Sequence, residues 1–269
     1  MPRTLSVKAA IRLACLWALI GTACGAASAW SAENPGRSDA FEQGSRALAA
    51  GRYEEALAWY GKAEQEQGIS AALLYNRGNA CYHTKDIGTC ILSYERALLL
   101  KPGDADIRAN LSLARQDFGL YEPPSPWWRT AAGFMSLNGW SVLAGAALTA
   151  FGLLVFLRGI AFAAGRRDEG LAKPFAAAAL CCAVIVLAAS GGLALGLRDA
   201  GRSVVVARDA RLLVSPFDTA AQSGPLREGR DVTVKKTHGE YAFIRDASGN
   251  SGWVEQSALA PLVPPDGRG

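Results

Sequence analysis

Two stretches of the chain, 130–157 and 174–197, carry no charged residue and show no polar face at either helical or strand period. A surface helix keeps a polar side, so their uniformity points to an apolar environment on all sides. A helix rises about 1.5 Å per residue and a hydrocarbon core is about 30 Å thick, so each stretch is long enough for one crossing. Between them stand Arg158, Arg166, Arg167 and Lys173. The pattern predicts a transmembrane hairpin with helices at 137–162 and 174–197 and a basic loop at 163–173, the stronger part of the first span being 140–157. A pair of buried helices in a soluble bundle is the alternative, and the missing polar faces count against it. No charge lies at depth, which disfavours a proton relay, an ion path or an intramembrane active site. Small residues such as Gly145, Gly152, Gly191 and Gly196 allow close helix contact.

Ahead of the hairpin, apolar positions recur at helical spacing, and the pattern itself repeats. Gly44, Gly51, Tyr53, Ala56, Tyr60 and Ala63 return thirty-four residues later as Gly78, Lys85, Ile87, Cys90, Tyr94 and Ala97, followed by Pro102. Small residues at Gly44/Ala56 and Gly78/Cys90 let antiparallel helices approach, Tyr53, Tyr60 and Tyr94 fill the space between pairs, and Pro102 stops a helix. A third unit starts at Ala105 with Ile107, Leu111 and Ala114 and breaks off near Gly119, as a capping helix would. This segment, 37–118, resembles the tetratricopeptide repeat (TPR) family, departing from it where Ala40 and Leu74 replace the large aromatic expected early in the first helix. The resemblance implies an α-helical TPR solenoid whose inner face holds extended peptides. The matching positions are Tyr75, Asn76, Asn79, Tyr82 and His83, with Asn110 in the following helix. An Asn amide satisfies both a donor and an acceptor of a peptide backbone. The alternative is that Asn76 and Asn110 brace neighbouring turns, and that His83 is a plain surface histidine.

After the hairpin the period shortens. Apolar runs at 204–206, 210–214, 232–234, 241–244 and 252–254 are separated by turn residues including Gly229, Gly239 and Gly249, which predicts a small all-β barrel over 203–262. The order Val204-Val205, Leu226-x-Glu228-Gly229, Tyr241-x-Phe243-Ile244 and Gly252-Trp253-Val254 resembles the bacterial SH3 domain, members of which bind peptides or cell-wall material. Trp253 is expected in the core.

The remaining segments fix the setting. Arg3, Lys8 and Arg12 precede an apolar run at 13–20 and the small residues Ala27-Ser28-Ala29, the order of a secretory signal at 1–29; an uncleaved anchor and a lipoprotein leader using Cys24 are the alternatives. Export would place both folded domains in the periplasm and the basic loop in the cytoplasm, in keeping with the positive-inside tendency. Residues 119–130 hold Pro123, Pro124 and Pro126 before Trp127 and Trp128, a stiff linker with aromatics placed for a membrane interface.

Composition mostly excludes. The net charge of +4 across 269 residues comes largely from the leader and the loop, and no basic stripe suggests nucleic acid. Of six cysteines only Cys81 and Cys90 lie outside the leader and the spans, and two distant histidines give no zinc spacing. A Cys81–Cys90 disulfide across one helical hairpin is conceivable in an oxidising compartment. No nucleophile–base set, carboxylate pair in a known motif, phosphate loop or metal cluster is legible, so neither catalytic residues nor a cofactor is expected and the protein reads as a non-enzyme.

Taken in order, signal, short TPR array, Pro-Trp-Trp linker, two-span hairpin and terminal SH3-like domain resemble the BatE-like proteins of the Bacteroides aerotolerance (Bat) group. That resemblance implies an inner-membrane accessory protein acting with Bat partners that carry von Willebrand factor A domains, and with an AAA-type ATPase, in envelope or oxidative-stress tolerance. The expectation is a multidomain membrane scaffold binding protein partners; the alternative is a peptidoglycan-binding protein acting through its SH3-like domain.

Overall fold

The computed structural model describes residues 38–120, 133, 135–165 and 169–263. The leader at 1–29, most of the linker with Trp127 and Trp128, and residues 166–168 of the basic loop lie outside the described residues. These form two units, one holding 137–194 and the other holding the segments before 137 and after 194.

The second unit begins with five helices: α1 (Asp39–Ala49), α2 (Tyr53–Gln67), α3 (Ala71–Thr84), α4 (Ile87–Leu100) and α5 (Ala105–Asp117). Four of them start where a side-chain oxygen takes up a free backbone N–H, at Ser38, Ser70, Asp86 and Asp104. Helix α4 ends at Leu100, two residues before Pro102, because a proline disfavours helical conformation in the residue ahead of it. The thirty-four-residue period has a direct packing counterpart. A Cβ on Gly44 would stand 2.7 Å from Tyr60 Cε1, and one on Gly78 2.6 Å from Tyr94 Cε1. In both hairpins the tyrosine ring packs against the opposite helix where only hydrogen fits. The intervening turns match as well: Gly51 has φ +73° and Lys85, its counterpart, φ +58°. Cys81 and Cys90 are fully buried free thiols. Burial pushes both upward, Cys81 to about 12.

The other unit contains α6 (Leu137–Ala163) and most of α7 (Glu169–Ala200). Both are long and apolar enough to cross a membrane, with mean hydropathy of 2.1 over Asn138–Ala163 and 2.3 over Lys173–Arg198. A buried soluble pair would hide these surfaces, yet Val142, Leu148, Val155, Leu180, Val184 and Leu187 are exposed and only Ala147, Ala189 and Gly192 are buried along the spans. Gly192 faces Trp140, whose ring would lie 2.5 Å from an added Cβ. The exposed apolar surface is compatible with membrane association.

Beyond α7 the chain forms one antiparallel seven-stranded sheet: β1 (Arg202–Val205), β2 (Arg211–Leu213), β3 (Gln222–Pro225), β4 (Asp231–His238), β5 (Tyr241–Asp246), β6 (Ser251–Glu255) and β7 (Leu259–Pro261), in the order β3-β2-β6-β5-β4-β1-β7. Val205, Leu212, Val232, Ala242, Ile244 and Val254 form its core. Trp253 departs from expectation. Its neighbours Gly252 and Val254 point inward, so strand alternation turns the indole to the other face, half-buried against Phe243 at 5.4 Å between ring centroids. An irregularity between Val234 and Lys236 sets Lys236 opposite Phe243, and its Nζ lies 5.2 Å from the Phe243 centroid and 5.1 Å from that of Trp253.

The helical and sheet domains share one core. Val204 and Leu262 pack with Leu74, Ile91, Leu111 and Leu120. The seam is tight enough to demand glycine twice. A Cβ on Gly88 would be 2.6 Å from Val206 Cα, and one on Gly229, a turn residue at φ +79°, 2.7 Å from Leu120 Cδ1. Beside this contact Arg115 Nη2 meets Glu95 Oε1 at 2.6 Å and Asp231 Oδ2 at 2.9 Å, while Arg202 meets Glu95 Oε2 at 3.0 Å and Asp231 Oδ2 at 2.6 Å. Glu95 and Asp231 are each 6% exposed. Two buried acids and two guanidiniums thus close a neutral ring across α4, α5, β1 and β4. Arg96 Nη2 donates to Pro261 O at 2.8 Å, and the Gly88 N–H donates to Glu228 Oε1 at 2.8 Å.

Candidate binding groove

Helical spacing gathers the polar residues of α3 and α5. Tyr75, Asn79 and Tyr82 share one face of α3, with Asn76 and His83 on its flank; Asn110, Leu113 and Asp117 share one face of α5. A cavity of about 380 Å³ opens between them, lined by Asn79, Tyr82 and His83 of α3 and Asn110 and Leu113 of α5, and by Leu48, Tyr53 and Tyr94. That size falls at the small end of ligand pockets.

Hydrogen bonds hold its floor. The Tyr94 hydroxyl donates to Asn79 Oδ1 at 2.7 Å, and Asn110 Nδ2 donates to the same oxygen at 3.1 Å and to the Tyr75 hydroxyl at 3.0 Å. Burial raises the Tyr94 phenol, with lesser contributions from Cys90 and neighbouring tyrosines, so it remains a donor. Among the described residues, Asn79 Nδ2 and Asn110 Oδ1 make no hydrogen bond. The floor therefore presents one donor and one acceptor side by side, the pair a stretch of peptide backbone needs.

The walls are aromatic. Tyr53 stacks on His83 at 4.2 Å and 10° between planes, and Tyr82 meets His83 edge-on at 5.5 Å. The Tyr82 hydroxyl donates to Asp117, which raises the phenol's pKa. His83 is exposed, but its ring is part of the wall rather than a free surface group.

Of the six residues singled out from sequence, Asn79, Tyr82, His83 and Asn110 line the cavity. Tyr75 stands behind them as acceptor for Asn110, its ring 6.2 Å from Tyr94. Asn76 turns to the first hairpin, where Nδ2 reaches Ser45 Oγ at 3.5 Å. Bracing and lining are thus not exclusive: Asn110 does both and Asn76 only braces. Leu48, Tyr53, Tyr94 and Leu113 complete the lining without having been singled out for it. Tyr53 and Tyr94 read as packing residues in the repeat pattern, and the Asn110–Leu113 spacing was the available signal for Leu113.

Among the described residues no group of three or more His, Cys, Asp or Glu is placed to hold a metal ion. No family model, no curated protein and no solved structure matches the chain.

Proposed function

We propose that the chain is a membrane-anchored, non-enzymatic scaffold that holds an extended segment of a partner protein in the groove between α3 and α5. One observation carries this reading: Asn79 and Asn110 are fixed by Tyr94 and Tyr75 yet keep a donor and an acceptor unspent in an aromatic-walled cavity. The thirty-four-residue period and the tyrosine-on-glycine contacts support a TPR array, and the seven short antiparallel strands with Gly252-Trp253-Val254 support an SH3-like domain. The order of modules supports membership of the BatE-like group, with von Willebrand factor A domain proteins of the Bat type as partners in envelope or oxidative-stress tolerance.

The seam bears on topology. The hairpin joins two domains that share a core, so a chain that crosses a membrane through α6 and back through α7 would keep both domains on one side. The leader and the basic loop favour the periplasmic side of an inner membrane.

Crosslinking in native membranes tests the scaffold. Tyr82→Ala and His83→Ala change groove walls without touching the Asn79 floor, and they are expected to abolish capture of partners held by the unsubstituted protein. Identical captured partners with both variants would sink the groove reading. The outward position of Trp253 beside Phe243 and Lys236 favours a second reading, a cell-wall binder acting through the sheet domain. Retention on purified peptidoglycan that survives the groove substitutions and is lost with Trp253→Ala would support that reading instead.

A further inference from the structure

The groove's charge distribution narrows its ligand, on the premise that the groove is the binding site proposed above. We propose that it takes an internal, extended peptide segment bearing a lysine or arginine, whose cationic head lies against the tyrosine rings toward Asp117, in preference to a chain-terminal carboxylate.

The first argument is electrostatic. Among the described residues no Lys, Arg, Asp or Glu lines the cavity. Its walls present the rings of Tyr82, of Tyr53, one face of which is stacked on His83, and of the buried Tyr94, and an open aromatic face attracts a cation and repels an anion. A terminal carboxylate entering here would lose part of its hydration with the exposed His83 imidazole as the one described lining group able to become cationic, so the lining offers it less than it offers a cation. Among the described residues the one carboxylate bonded to a lining residue is Asp117, one helical turn beyond Leu113 on the same face of α5 and exposed. It accepts from the Tyr82 hydroxyl, which directs further electron density toward that ring, and its other oxygen remains open to an incoming ammonium or guanidinium.

The second argument is geometric. Asn79 Nδ2 and Asn110 Oδ1, adjacent through their mutual hydrogen bond, match the carbonyl and N–H of a peptide backbone. A backbone passing over them continues in both directions, because the floor offers nothing to terminate it. The ligand is therefore an internal segment whose side chain, rather than its end, carries the charge.

The test uses the full chain in nanodiscs of phosphatidylcholine alone, which has no net charge to collect basic peptides. It is panned against phage-displayed random nonapeptides flanked by Gly-Ser on both sides. Enriched sequences are resynthesised with acetylated and amidated ends, and their Kd values are measured. Lys or Arg is expected at one shared position. Changing that residue to Gln, or the protein by Asp117→Asn, is expected to weaken binding about tenfold. Asp117 is exposed, so its substitution leaves the fold in place. Neutral or acidic peptides whose binding is lost with Tyr82→Ala would overturn the cationic ligand while leaving the groove as the binding site. Basic peptides indifferent to Asp117→Asn would overturn the proposal as drawn. No enrichment, or binding indifferent to Tyr82→Ala, would overturn both this inference and the groove reading.

Discussion

The two helical hairpins, α1–α2 and α3–α4, are built on one period and differ in what the second has added. Both lay a tyrosine ring on a glycine, Tyr60 on Gly44 and Tyr94 on Gly78. Beyond that contact they part. Where the first has Gly61, with nothing within 4 Å of an added Cβ, the second has Glu95, buried in the ion ring of the seam. Where the first has Ser45, the second has Asn79, the hub of the groove floor. The first hairpin lends Leu48 and Tyr53 to the groove, whereas the second supplies Asn79, Tyr82, His83 and Tyr94 on one face and half of the seam on another. Recurrence at fixed period marks what folding needs, and departures from it mark where domain docking and the proposed binding groove were added.

The largest effect expected from this contrast is at the departing pair. Glu95→Ala leaves Arg115 and Arg202 in the seam with Asp231 as their one remaining ring acid, and breaking a buried pair from one side costs about 3–5 kcal/mol. Gly61→Ala at the counterpart position is expected to stabilise by about 0.5–1 kcal/mol through helix propensity alone. Denaturant midpoints of the full chain in detergent decide it, and a Glu95→Ala midpoint equal to that of the unsubstituted protein would show that the ring does not hold the domains together.

Acid acts on the same ring. Burial alone would raise the Glu95 carboxyl, but the Arg202 and Arg115 guanidiniums outweigh it and hold the group below its usual 4.5. A folded-state value below the unfolded one stabilises fully above that usual value, and the gain is lost as pH falls through the depressed one. Thermal midpoints are therefore expected to be flat with respect to Glu95 from pH 8 to about 5 and to drop below about 4.5. Glu95→Gln should remove that acid step; an unchanged step would assign it to another group.

Gly44→Ala and Gly78→Ala should cost alike. Each inserts a methyl group into a ring that has nowhere to move, an overpacking penalty of about 1–3 kcal/mol. Unequal losses would show that one hairpin relaxes and the other does not.

Much of this architecture is legible in the sequence alone. The tyrosine–glycine contacts were legible because they recur, and the two apolar helices because nothing interrupts them. Of the strands, β1, β2, β4, β5 and β6 announce themselves as apolar runs. The two missed, β3 as Gln222–Pro225 and β7 as Leu259–Pro261, are the edges of the sheet, where one row of backbone hydrogen bonds suffices and little side chain is buried. The Trp253 position was misread because Gly-Trp-Val looks like a core run, whereas alternation buries its two small neighbours and turns the indole out. In the groove, four of six singled-out residues line the cavity because helical spacing alone places them. The seam left no local trace: Glu95 looks like a solvated helix residue and Gly229 like any turn, and although Arg115 is 20 residues from Glu95, its other guanidinium, Arg202, lies 107 residues on, and Gly229 meets the distant Leu120 and Ile87.

The smallest expected effect tests whether the second hairpin's additions transfer to the first. Tyr94 donates to Asn79, but the buried Tyr60 hydroxyl has no hydrogen-bond partner among the described residues, and burial raises its pKa despite the nearby Ser45 and Asn76. The serine oxygen sits one bond closer to its backbone than the amide oxygen of the asparagine that serves Tyr94. Ser45→Asn should let an amide oxygen reach Tyr60 and return about 1 kcal/mol, the net worth of one hydrogen bond. The turn gives a matching gain in the other direction. Lys85 holds the left-handed conformation that Gly51 adopts freely, so Lys85→Gly should stabilise by up to about 1 kcal/mol, less the entropy glycine adds to the unfolded chain. If Ser45→Asn stabilises and also leaves the groove's peptide affinity unchanged, the floor's hydrogen bonding is a packing device that the second hairpin turned to binding. If Ser45→Asn destabilises, the first hairpin's tyrosine is held by sterics alone, and the resemblance between the two hairpins ends at the ring.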